Sequence, residues 1–576
     1  MVVTELPAPH PDLRACVVVP ARDEEELIGA CLTALGDQRT LGGKATGATG
    51  SGGYEVLVVL DGCVDATASR VLAFMTEHPE LAVHVLERDR GGVGLARRQG
   101  MDAACERLHA VGHPDGLIAS TDADSVVAQD WLERQLAAVA RGARAIGGRI
   151  ELMPDTGLAP EVLASRRAQG QTRHQNLLAG LDESACARAE HWQFSGASMA
   201  LTAATYAELG GLEPRAALED EALERVLGAR GIAIERPLDV RVSTSARTRG
   251  RAPRGLAHDL ALGSWLAGRH HHAGDFPAER VLDLKDRSVS VIVPTREVAA
   301  TVGGVLTVLD HLVGLGVIDE VLVVDAGSRD QTAQIAASHH ARLVAEDELM
   351  PEFGVGRGKG DAMWRGLSAT DGDLVVYVDA DTVDFGAGFV CGLLGPLLLD
   401  PSIELVKGSF ARPFRVGQEV LPHGGGRVTE LVARPLLNLH RPALAGFEQP
   451  LAGEIAARRS LLETLAFPVG YGVEIAMLLD AEASVGVGAL AQVDLGSRQN
   501  RHQPLHDLSA MAYAVMVAAS RRLLGEGAVE ALAPGALARP RGASLEMVSV
   551  PVEERPALAG MGSRGLGAPE IRAMMR

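Results

Sequence analysis

The sequence predicts two tandem α/β domains, each built on a mainly parallel sheet. The first observation is a repeated order of motifs: a strand with a proline turn, a strand ending in aspartate, and an Asp-x-Asp loop. This order reads VVVPARDEE, VLVVLDG and STDADS in the first copy, and VSVIVPTRE, VLVVDAGSRD and VYVDADT in the second. The second observation is that the strands are continuous apolar runs, which is typical of parallel strands buried on both faces. The third is that a helical pattern follows most of them, as right-handed crossover connections require.

Composition along the chain suggests the domain boundaries. The tail is rich in Ala, Pro, Gly and Arg without a sustained period, which is typical of mobile segments. The HHH run before the second copy is interpreted as a solvated loop. We predict a flexible N-terminus over 1–13, a first domain over 14–250, a linker over 251–287, a second domain over 288–524 and a low-complexity, flexible tail over 525–576.

Charge and cysteine usage exclude several classes of function. The 576 residues carry a formal net charge of −19 with no basic cluster, which argues against nonspecific nucleic-acid binding. The six cysteines show no C-x-x-C spacing, so they fit neither a disulfide framework nor a zinc site, and they indicate a reducing, cytoplasmic location. The apolar runs are too short to span a bilayer, so we expect no transmembrane segment.

Two carboxylates, Asp379 and Asp381, follow an apolar strand in the second copy. Such a pair at a sheet edge needs a cation, and a divalent ion bridging a diphosphate supplies one. Hard oxygen ligands favour Mg²⁺ or Mn²⁺. The alternative is that these acids cap the next helix. The same reasoning applies to Asp122 and Asp124 in the first copy.

Two further features point to a nucleotide diphosphate. Asp61 and Asp325 each end the second strand of their copy, where a carboxylate can reach a base or ribose; the alternative is a turn residue. The GRGKGD segment places Lys359 at a helix start, where backbone amides and an ammonium can face a diphosphate. Arg97 stands in the corresponding GGVGLAR segment of the first copy. The alternative for both segments is a glycine loop without a ligand.

The segment GGGRVTE is interpreted as an anion cradle. Its glycines allow close approach of the backbone, and the following helix start adds amides, a guanidinium and a hydroxyl suited to a phosphate or carboxylate. The candidate residues are Gly426, Arg427, Val428 and Thr429.

The second copy closely resembles the glucosyl-3-phosphoglycerate synthases. The resemblance lies in GKGDAMWRGL, VDADT, VKGSFARPF, GGGRVTELVARPLLN, QPLAGEIAARRSLL, FPVGYGVEIAMLLD and QVDLGSRQNRHQPL. It implies a GT-A fold, which is a Rossmann-like nucleotide-diphospho-sugar transferase fold. It also implies a retaining, metal-dependent transfer of glucose from UDP-glucose to D-3-phosphoglycerate, commonly by a homodimer.

The resemblance also implies roles for individual residues. Asp379 and Asp381 become the nucleotide and metal carboxylates, and Lys359 a diphosphate partner. Gly426, Arg427 and Thr429 become the phosphoglycerate cradle. Glu474 matches the acid near the transferred sugar and its acceptor, where it can orient the acceptor hydroxyl or help to accept its proton, with Tyr471 beside it.

Two departures from the family pattern affect these roles. The usual R-x-H-R-N, with a metal-ligating His and an acceptor-contacting Asn, reads RQNRH here, so Asn500 and His502 are exchanged. Either His502 reaches the metal from a shifted backbone, or the two residues trade roles. The early P-x-x-N-E-E stretch, which contributes Pro294 to the nucleotide-sugar site, lacks an acid where Val298 stands, so the donor preference can differ.

The first copy resembles the broad family 2 glycosyltransferases. The family pattern includes a late Glu-Asp pair whose aspartate acts as general base in inverting transfer, and Asp220 within LEDEAL fits it. Clustered acids raise the pKa of one member, which suits proton acceptance near neutrality. The alternative is a solvated acidic first turn of a helix.

The sequence therefore predicts a glycosyltransferase with two domains. The second makes glucosyl-3-phosphoglycerate, and the first is a second transferase of unknown substrate or an inactive partner. Three alternatives remain: a transferase with another nucleotide sugar or small acid acceptor, a nucleotidyltransferase, and a non-catalytic nucleotide-sugar-binding scaffold.

Overall fold

The computed structural model describes residues 6–39, 53–154, 157–250, 254–416, 419–421, 425–498, 505–525, 527, 529, 535–541 and 544–561. The chain divides into two compact units, Met1–Ala267 and Gly268–Arg576. Each unit carries one copy of the repeated motif order on its own sheet, which confirms the predicted fold class. The division falls within 251–287, where the sequence predicts a linker.

The first unit is built on strands that are short and largely buried. They are β1 (Ala15–Ala21), β2 (Tyr54–Asp61), β3 (Val83–Arg88), β4 (Leu117–Ser120), β5 (Ser125–Val127), β6 (Ala145–Gly147), β7 (Arg149–Leu152), β8 (Met199–Thr202), β9 (Ile234–Glu235) and β10 (Arg241–Thr244). The main sheet has the order β3-β2-β1-β4-β8-β6-β9, and β5-β10-β7 form a small second sheet. Strands β1 to β4 pair in parallel, whereas β8 runs antiparallel to its neighbours.

Helices connect these strands. They are α1 (Ile28–Gly36), α2 (Thr67–Glu77), α3 (Val93–Ala110), α4 (Trp131–Ala140), α5 (Pro160–Ala179), α6 (Glu183–Cys186), α7 (Ala203–Leu209), α8 (Glu219–Ala229) and α9 (Leu256–Arg269). Alternate residues of β1 enter two different hydrophobic clusters, Val17 and Val19 on one face and Cys16 and Val18 on the other. Burial on both faces is the physical reason for the continuous apolar run.

The second unit repeats this plan. Its strands are β11 (His270–His272), β12 (Val289–Thr295), β13 (Glu320–Asp325), β14 (Arg342–Ala345), β15 (Leu374–Tyr377), β16 (Leu405–Ala411), β17 (Phe414–Val416), β18 (Glu419–Leu421), β19 (Ile455–Arg458), β20 (Phe467–Pro468), β21 (Leu490–Ser497), β22 (Ala536–Arg541), β23 (Ser544–Ser549) and β24 (Glu554–Arg555). The main sheet has the order β11-β21-β16-β19-β15-β12-β13-β14. Because β12, β13 and β15 are parallel, their carboxyl ends meet at one edge.

The α-helices of the second unit are α10 (Ala278–Leu284), α11 (Val302–Leu315), α12 (Thr332–Ala336), α13 (Lys359–Ser368), α14 (Ala387–Leu399), α15 (Arg434–His440), α16 (Arg459–Leu462), α17 (Val473–Val485) and α18 (Leu505–Leu524). A π-helical turn, Thr429–Ala433, leads into α15. Among the described residues, no helix is both long and apolar enough to cross a membrane.

Two segments differ from their sequence-based interpretation. The HHH run is an edge strand that pairs in parallel with β21, because backbone pairing does not depend on its polar side chains. Within the predicted flexible tail, β22 and β23 form a hairpin and β24 pairs with β20. Residues 544–561 are thus built into the second unit, although the composition of the tail gives no periodic signal for it.

Helix α13 packs unusually close to β12. A Cβ added at Gly366 would lie 2.6 Å from Ile292 Cγ2, whereas one added at Gly304, on the exposed face of α11, would meet nothing within 4 Å. We expect Gly366→Ala to lower the free energy of unfolding by about 1–3 kcal/mol through overpacking. Gly304→Ala should raise it by up to about 1 kcal/mol through helix propensity. Urea unfolding of the full chain measures both, and equal shifts for the two variants would contradict the packing argument.

Candidate functional site

The second strand of the second unit delivers Asp325 to the carboxyl edge of the sheet. Its carboxylate is buried and accepts hydrogen bonds from Thr295 Oγ1 at 3.1 Å, Ser328 N at 3.0 Å and Ser328 Oγ at 2.6 Å. Pro294 lies on the adjoining strand β12, paired with Val324. The described donors to Asp325 are thus neutral groups, and no described arginine or lysine pairs with this carboxylate.

Lys359 contacts two acidic side chains of the candidate site, Asp379 and Glu474. It begins α13 after Gly358, whose φ of +136° suits glycine, and its Nζ lies 2.5 Å from Asp379 Oδ1 and 2.8 Å from Glu474 Oε1. Burial alone would lower the pKa of Lys359, but the two carboxylates raise it above its ordinary value, so the side chain stays an ammonium. Asp379, the predicted nucleotide carboxylate, and Glu474, the candidate catalytic acid, therefore share one cation.

Arg498 completes this charge network. It follows β21, is fully buried, and its Nη2 lies 3.1 Å from Asp379 Oδ2 and 2.9 Å from Asp381 Oδ1, while Nη1 contacts the buried Glu454. Burial would raise the pKa of Asp379, but Lys359 and Arg498 hold it below its ordinary value. Two carboxylate oxygens thus converge on one nitrogen, which is the arrangement that an oxygen-ligated cation also needs.

Gly453 allows the network to close. A Cβ at this position would overlap Lys359 Nζ and lie 2.5 Å from Asp379 Oδ1. Sequence reasoning assigned no role to Gly453, Glu454 or Arg498, because the three lie far along the chain from the Asp-x-Asp motif. Their position in QPLAGEIAARRSLL and RQNRH, which belong to the family resemblance, is a signal that could have pointed to them.

The predicted anion cradle surrounds a glycine with a left-handed backbone. Gly426 has a φ of +72° and its carbonyl accepts from Glu430 N at 3.0 Å, and Val428 and Thr429 are buried beside it. Arg427 is half-buried. The structure brings these four predicted residues together at the start of one helical segment.

Two further cations of this unit, Arg434 and Lys407, are engaged by other groups. Arg434 pairs with Glu430 at 2.9 Å and donates to the carbonyl of Glu448 at 2.7 Å. Lys407 is buried, donates to the carbonyl of Ala452 at 2.9 Å, and has its pKa lowered by burial to about 8. Neither is a free surface cation.

The remaining predicted residues of the second unit fall into two groups. Glu474 is buried in the first turn of α17, and Tyr471, just before that helix, is exposed. Asn500 and His502 lie outside the described residues, so their exchange stays a prediction.

The first unit repeats the network with different cations. Arg97 Nη2 lies 2.7 Å from Asp122 Oδ1, and Arg97 Nε lies 3.0 Å from Glu219 Oε1. Gly196 takes the place of Gly453, because a Cβ there would overlap the Arg97 guanidinium. One cation thus lies between two acids, as Lys359 does between Asp379 and Glu474, although Glu219 is the first residue of α8 and Glu474 the second residue of α17.

Arg247 corresponds to Arg498. It lies 2.9 Å from Asp124 Oδ2 and donates two hydrogen bonds to Glu24 at 2.6 and 2.7 Å. Burial and the neighbouring Asp122 raise the pKa of Asp124 to about 6, although Arg247 opposes the shift. The roles of Glu219 and Arg247 were not found from sequence.

The predicted base of the first unit, Asp220, lies one residue after Glu219. Its two carboxylate oxygens accept from the backbone N–H groups of Gly196 at 3.0 Å and Glu221 at 2.9 Å. Within the acidic cluster, burial raises the pKa of Glu219. The carboxylate of Glu219 pairs with Arg97, whereas that of the predicted base Asp220 is held by backbone N–H groups.

Asp61 differs sharply from its counterpart Asp325. Its carboxylate accepts from Arg88 Nη1 at 2.8 Å, from the backbone N–H groups of Gly91 at 2.8 Å and Gly92 at 2.9 Å, and from Arg22 Nη2. Two guanidinium groups and two amides of the same chain therefore occupy both oxygens. A base or ribose could bind Asp61 only by displacing one of them.

Comparison with known proteins supports the family resemblance. The chain matches the family described as glycosyl transferase family 2 over residues 16–187 and 290–397. Glucosyl-3-phosphoglycerate synthase of Mycobacterium tuberculosis is 43% identical over 270 residues, which is 46% of this chain and 81% of that protein. A solved mannosyl-3-phosphoglycerate synthase of Rubrobacter xylanophilus is 45% identical, with a TM-score of 0.47 over 52% of this chain and 98% of that one. The M. tuberculosis synthase solved with Mn²⁺, UDP and glucosyl-3-phosphoglycerate is 38% identical, with a TM-score of 0.45 over 50% and 96% of the two chains.

The contrast between Asp61 and Asp325 leads to a prediction about stability. Asp61→Asn leaves two arginines facing a neutral amide, and we expect a loss of about 2–4 kcal/mol in the free energy of unfolding. Asp325→Asn should lose less, since its donors are hydroxyls and one amide. Urea unfolding of the full chain measures both, and a larger loss for Asp325→Asn would contradict a structural role for Asp61.

Proposed function

The chain belongs to the glucosyl-3-phosphoglycerate synthase family of glycosyltransferases, and from this premise we propose that its second unit transfers glucose from UDP-glucose to D-3-phosphoglycerate with retention. The observation that carries the proposal is the contact of Lys359 with both Asp379 and Glu474. One ammonium joins the carboxylate proposed for the nucleotide to the acid proposed for the acceptor. Donor and acceptor groups would therefore meet beside it.

A divalent cation, Mg²⁺ or Mn²⁺, fits the second unit. Asp379 and Asp381 offer hard oxygen donors that converge on one point, where Arg498 supplies a positive charge. We assign Asp381 as the chief ligand, with His502 or Asn500 as a further one. When bound, the ion compensates charge on the departing diphosphate.

The chain's own groups would perform the remaining tasks. Asp325 and Pro294 line the proposed uridine end, and the Lys359 ammonium faces the diphosphate. Glu474 would orient the acceptor hydroxyl or help to accept its proton. The catalytic contribution of such a site is mainly positioning and fixed charge.

The acceptor would enter over the cradle Gly426–Thr429. Backbone amides, the Arg427 guanidinium and the Thr429 hydroxyl suit the phosphate of 3-phosphoglycerate. Tyr471 and Asn500 are proposed to contact the rest of the acceptor, and the exposure of Tyr471 leaves its side chain accessible.

For the first unit the proposal is narrower. In one alternative it is a second family 2 transferase of undetermined donor and acceptor. Asp61 and Asp122 would then lie at a nucleotide site, with Asp124 as metal ligand and Asp220 as base. In the other alternative it is an inactive partner of the second unit. The four donors already on Asp61 favour the partner without turnover.

The first test is metal-dependent UDP release. We expect UDP to be released from UDP-glucose only with 3-phosphoglycerate and Mg²⁺ or Mn²⁺ present, and Asp381→Ala to lower the rate by about 100-fold or more, since it removes a ligand of the charge-compensating ion. The exposed Asp384, three residues further on, supplies the matched control Asp384→Ala, which should retain the wild-type rate.

The same assay separates the alternatives. Faster turnover with GDP-mannose or GDP-glucose than with UDP-glucose would identify that nucleotide sugar as the donor. Release of pyrophosphate would indicate a nucleotidyltransferase. If neither UDP, GDP nor pyrophosphate is released with any donor, the remaining interpretation is a non-catalytic nucleotide-sugar-binding scaffold.

The second test concerns the cradle. Arg427→Ala removes a charge-assisted contact, so we expect the KM for 3-phosphoglycerate to rise about 10- to 100-fold with little change in the KM for UDP-glucose. The variant should also lose most of the preference of the wild type for 3-phosphoglycerate over glycerate, which lacks the phosphate. An equal rise in both KM values would argue against a cradle at this position.

A further inference from the structure

The C-terminal strap, residues 551–556, lies against the segment that leads to Glu474. Its strand β24 pairs antiparallel with β20, with Arg555 opposite Phe467, and Val469 N donates to the carbonyl of Glu553 at 3.0 Å. The strap lies beyond the last helix of the domain predicted from sequence. It is nevertheless part of the backbone framework that carries the candidate acid.

Arg555 of the strap forms an ion pair with the buried carboxylate of Asp361. Its Nε lies 2.8 Å from Asp361 Oδ1 and its Nη2 lies 2.7 Å from Asp361 Oδ2, and the Asp361 side chain is fully buried. Arg365 Nε, from the same helix as Asp361, reaches Oδ1 at 3.1 Å. A two-point contact of this kind fixes orientation as well as distance.

Aromatic contacts hold the same arginine in place. Its guanidinium lies 5.6 Å from the Phe353 ring centre and 5.8 Å from that of Trp364, within the range of cation–π attraction. Trp364 Nε1 in turn donates to the carbonyl of Pro556 at 2.8 Å. The strap is therefore attached to α13 by an ion pair, ring contacts and a hydrogen bond.

Asp361 lies two residues after Lys359, in the first turn of α13. Its N–H donates to the carbonyl of Val469 at 3.1 Å, and a Cβ at Gly360 would overlap the carbonyl of Pro468. The first turn of α13 and the 467–474 segment are thus in direct contact, and Lys359 Nζ spans them to Glu474 at 2.8 Å. A shift of Asp361 would move Lys359 relative to both of its carboxylates.

We propose that Arg555 is a positioning residue for the transfer reaction, acting through Asp361 to hold Lys359 between Asp379 and Glu474. The inference rests on the proposed function of the second unit for its kinetic consequence. Its structural content, that the strap fixes the start of α13, does not depend on which sugar is transferred.

The kinetic test uses the full chain with Arg555→Ala, Arg555→Lys and the control Arg287→Ala. Arg287 is an exposed arginine of the same unit that lies 3.9 Å from the exposed Asp286. At a temperature at which all variants are folded by near-UV circular dichroism, we expect Arg555→Ala to lower kcat for UDP release about 10- to 100-fold, as misplacement of a charged group does. The KM for 3-phosphoglycerate should change less than about threefold, and Arg287→Ala should match the wild type.

Partial rescue distinguishes positioning from stability alone. Millimolar guanidinium should restore part of the kcat of Arg555→Ala, while methylammonium, which cannot make the two-point contact, should not. Arg555→Lys should likewise remain impaired because an ammonium offers no planar fork. A folded Arg555→Ala variant with the wild-type kcat would overturn the proposal.

Hydrogen exchange tests the same idea without turnover. In Arg555→Ala the amides of Asp361 and Val469 should exchange about tenfold faster or more, while those of α11 stay unchanged. Unchanged exchange at Asp361 and Val469 would overturn the proposal. A wild-type chain that releases no UDP with any donor would instead refute the proposed function, and exchange would still decide the role of Arg555.

Discussion

Carboxylates gathered at the carboxyl edge of a parallel sheet repel one another, and the site depends on the cations that offset this repulsion. Two like charges about 4 Å apart repel by about 4 kcal/mol at an effective dielectric constant near 20. In the second unit only two cations, the half-buried Lys359 and the buried Arg498, contact the four acids of the network among the described residues. Because each cation is shared, moving one changes the charge around several acids at once. The network is therefore one electrostatic unit.

The first unit obeys the same constraint with a different outcome. Arg97 pairs with Asp122 and Glu219, and Arg247 pairs with Asp124, so the carboxylates that follow the fourth strand again have cationic partners. Arg97 lies one turn further along α3 than Lys359 does along α13. The difference lies at the second strand, where Asp61 is held by two arginines while Asp325 is held by neutral donors. A domain can thus have cationic partners for the carboxylates of its Asp-x-Asp loop while the aspartate that ends its second strand is paired with arginines of the same unit.

Sequence reasoning succeeded where the chemistry is local. The repeated motif order and the buried strands predict the fold class that the structure confirms, and the residues of the predicted anion cradle, whose role stays a prediction, are neighbours in sequence. It failed for partners that only the tertiary fold brings together, such as Arg498 and Glu454. It also could not separate Glu219 from Asp220, since which of two adjacent acids turns inward depends on the packing of α8.

The C-terminal segment is a second case in which sequence reasoning missed tertiary contacts, because it predicts flexibility where the described residues form strands. The composition after residue 524, which is rich in Ala, Pro, Gly and Arg, predicts a flexible segment. A fully buried carboxylate changes the balance, because a charge without adequate partners is expensive in the interior. Arg365 reaches one oxygen of Asp361, and the two-point contact comes from Arg555. Because one buried acid at the start of α13 needs this partner, the second unit extends to residues that composition alone assigns to a tail.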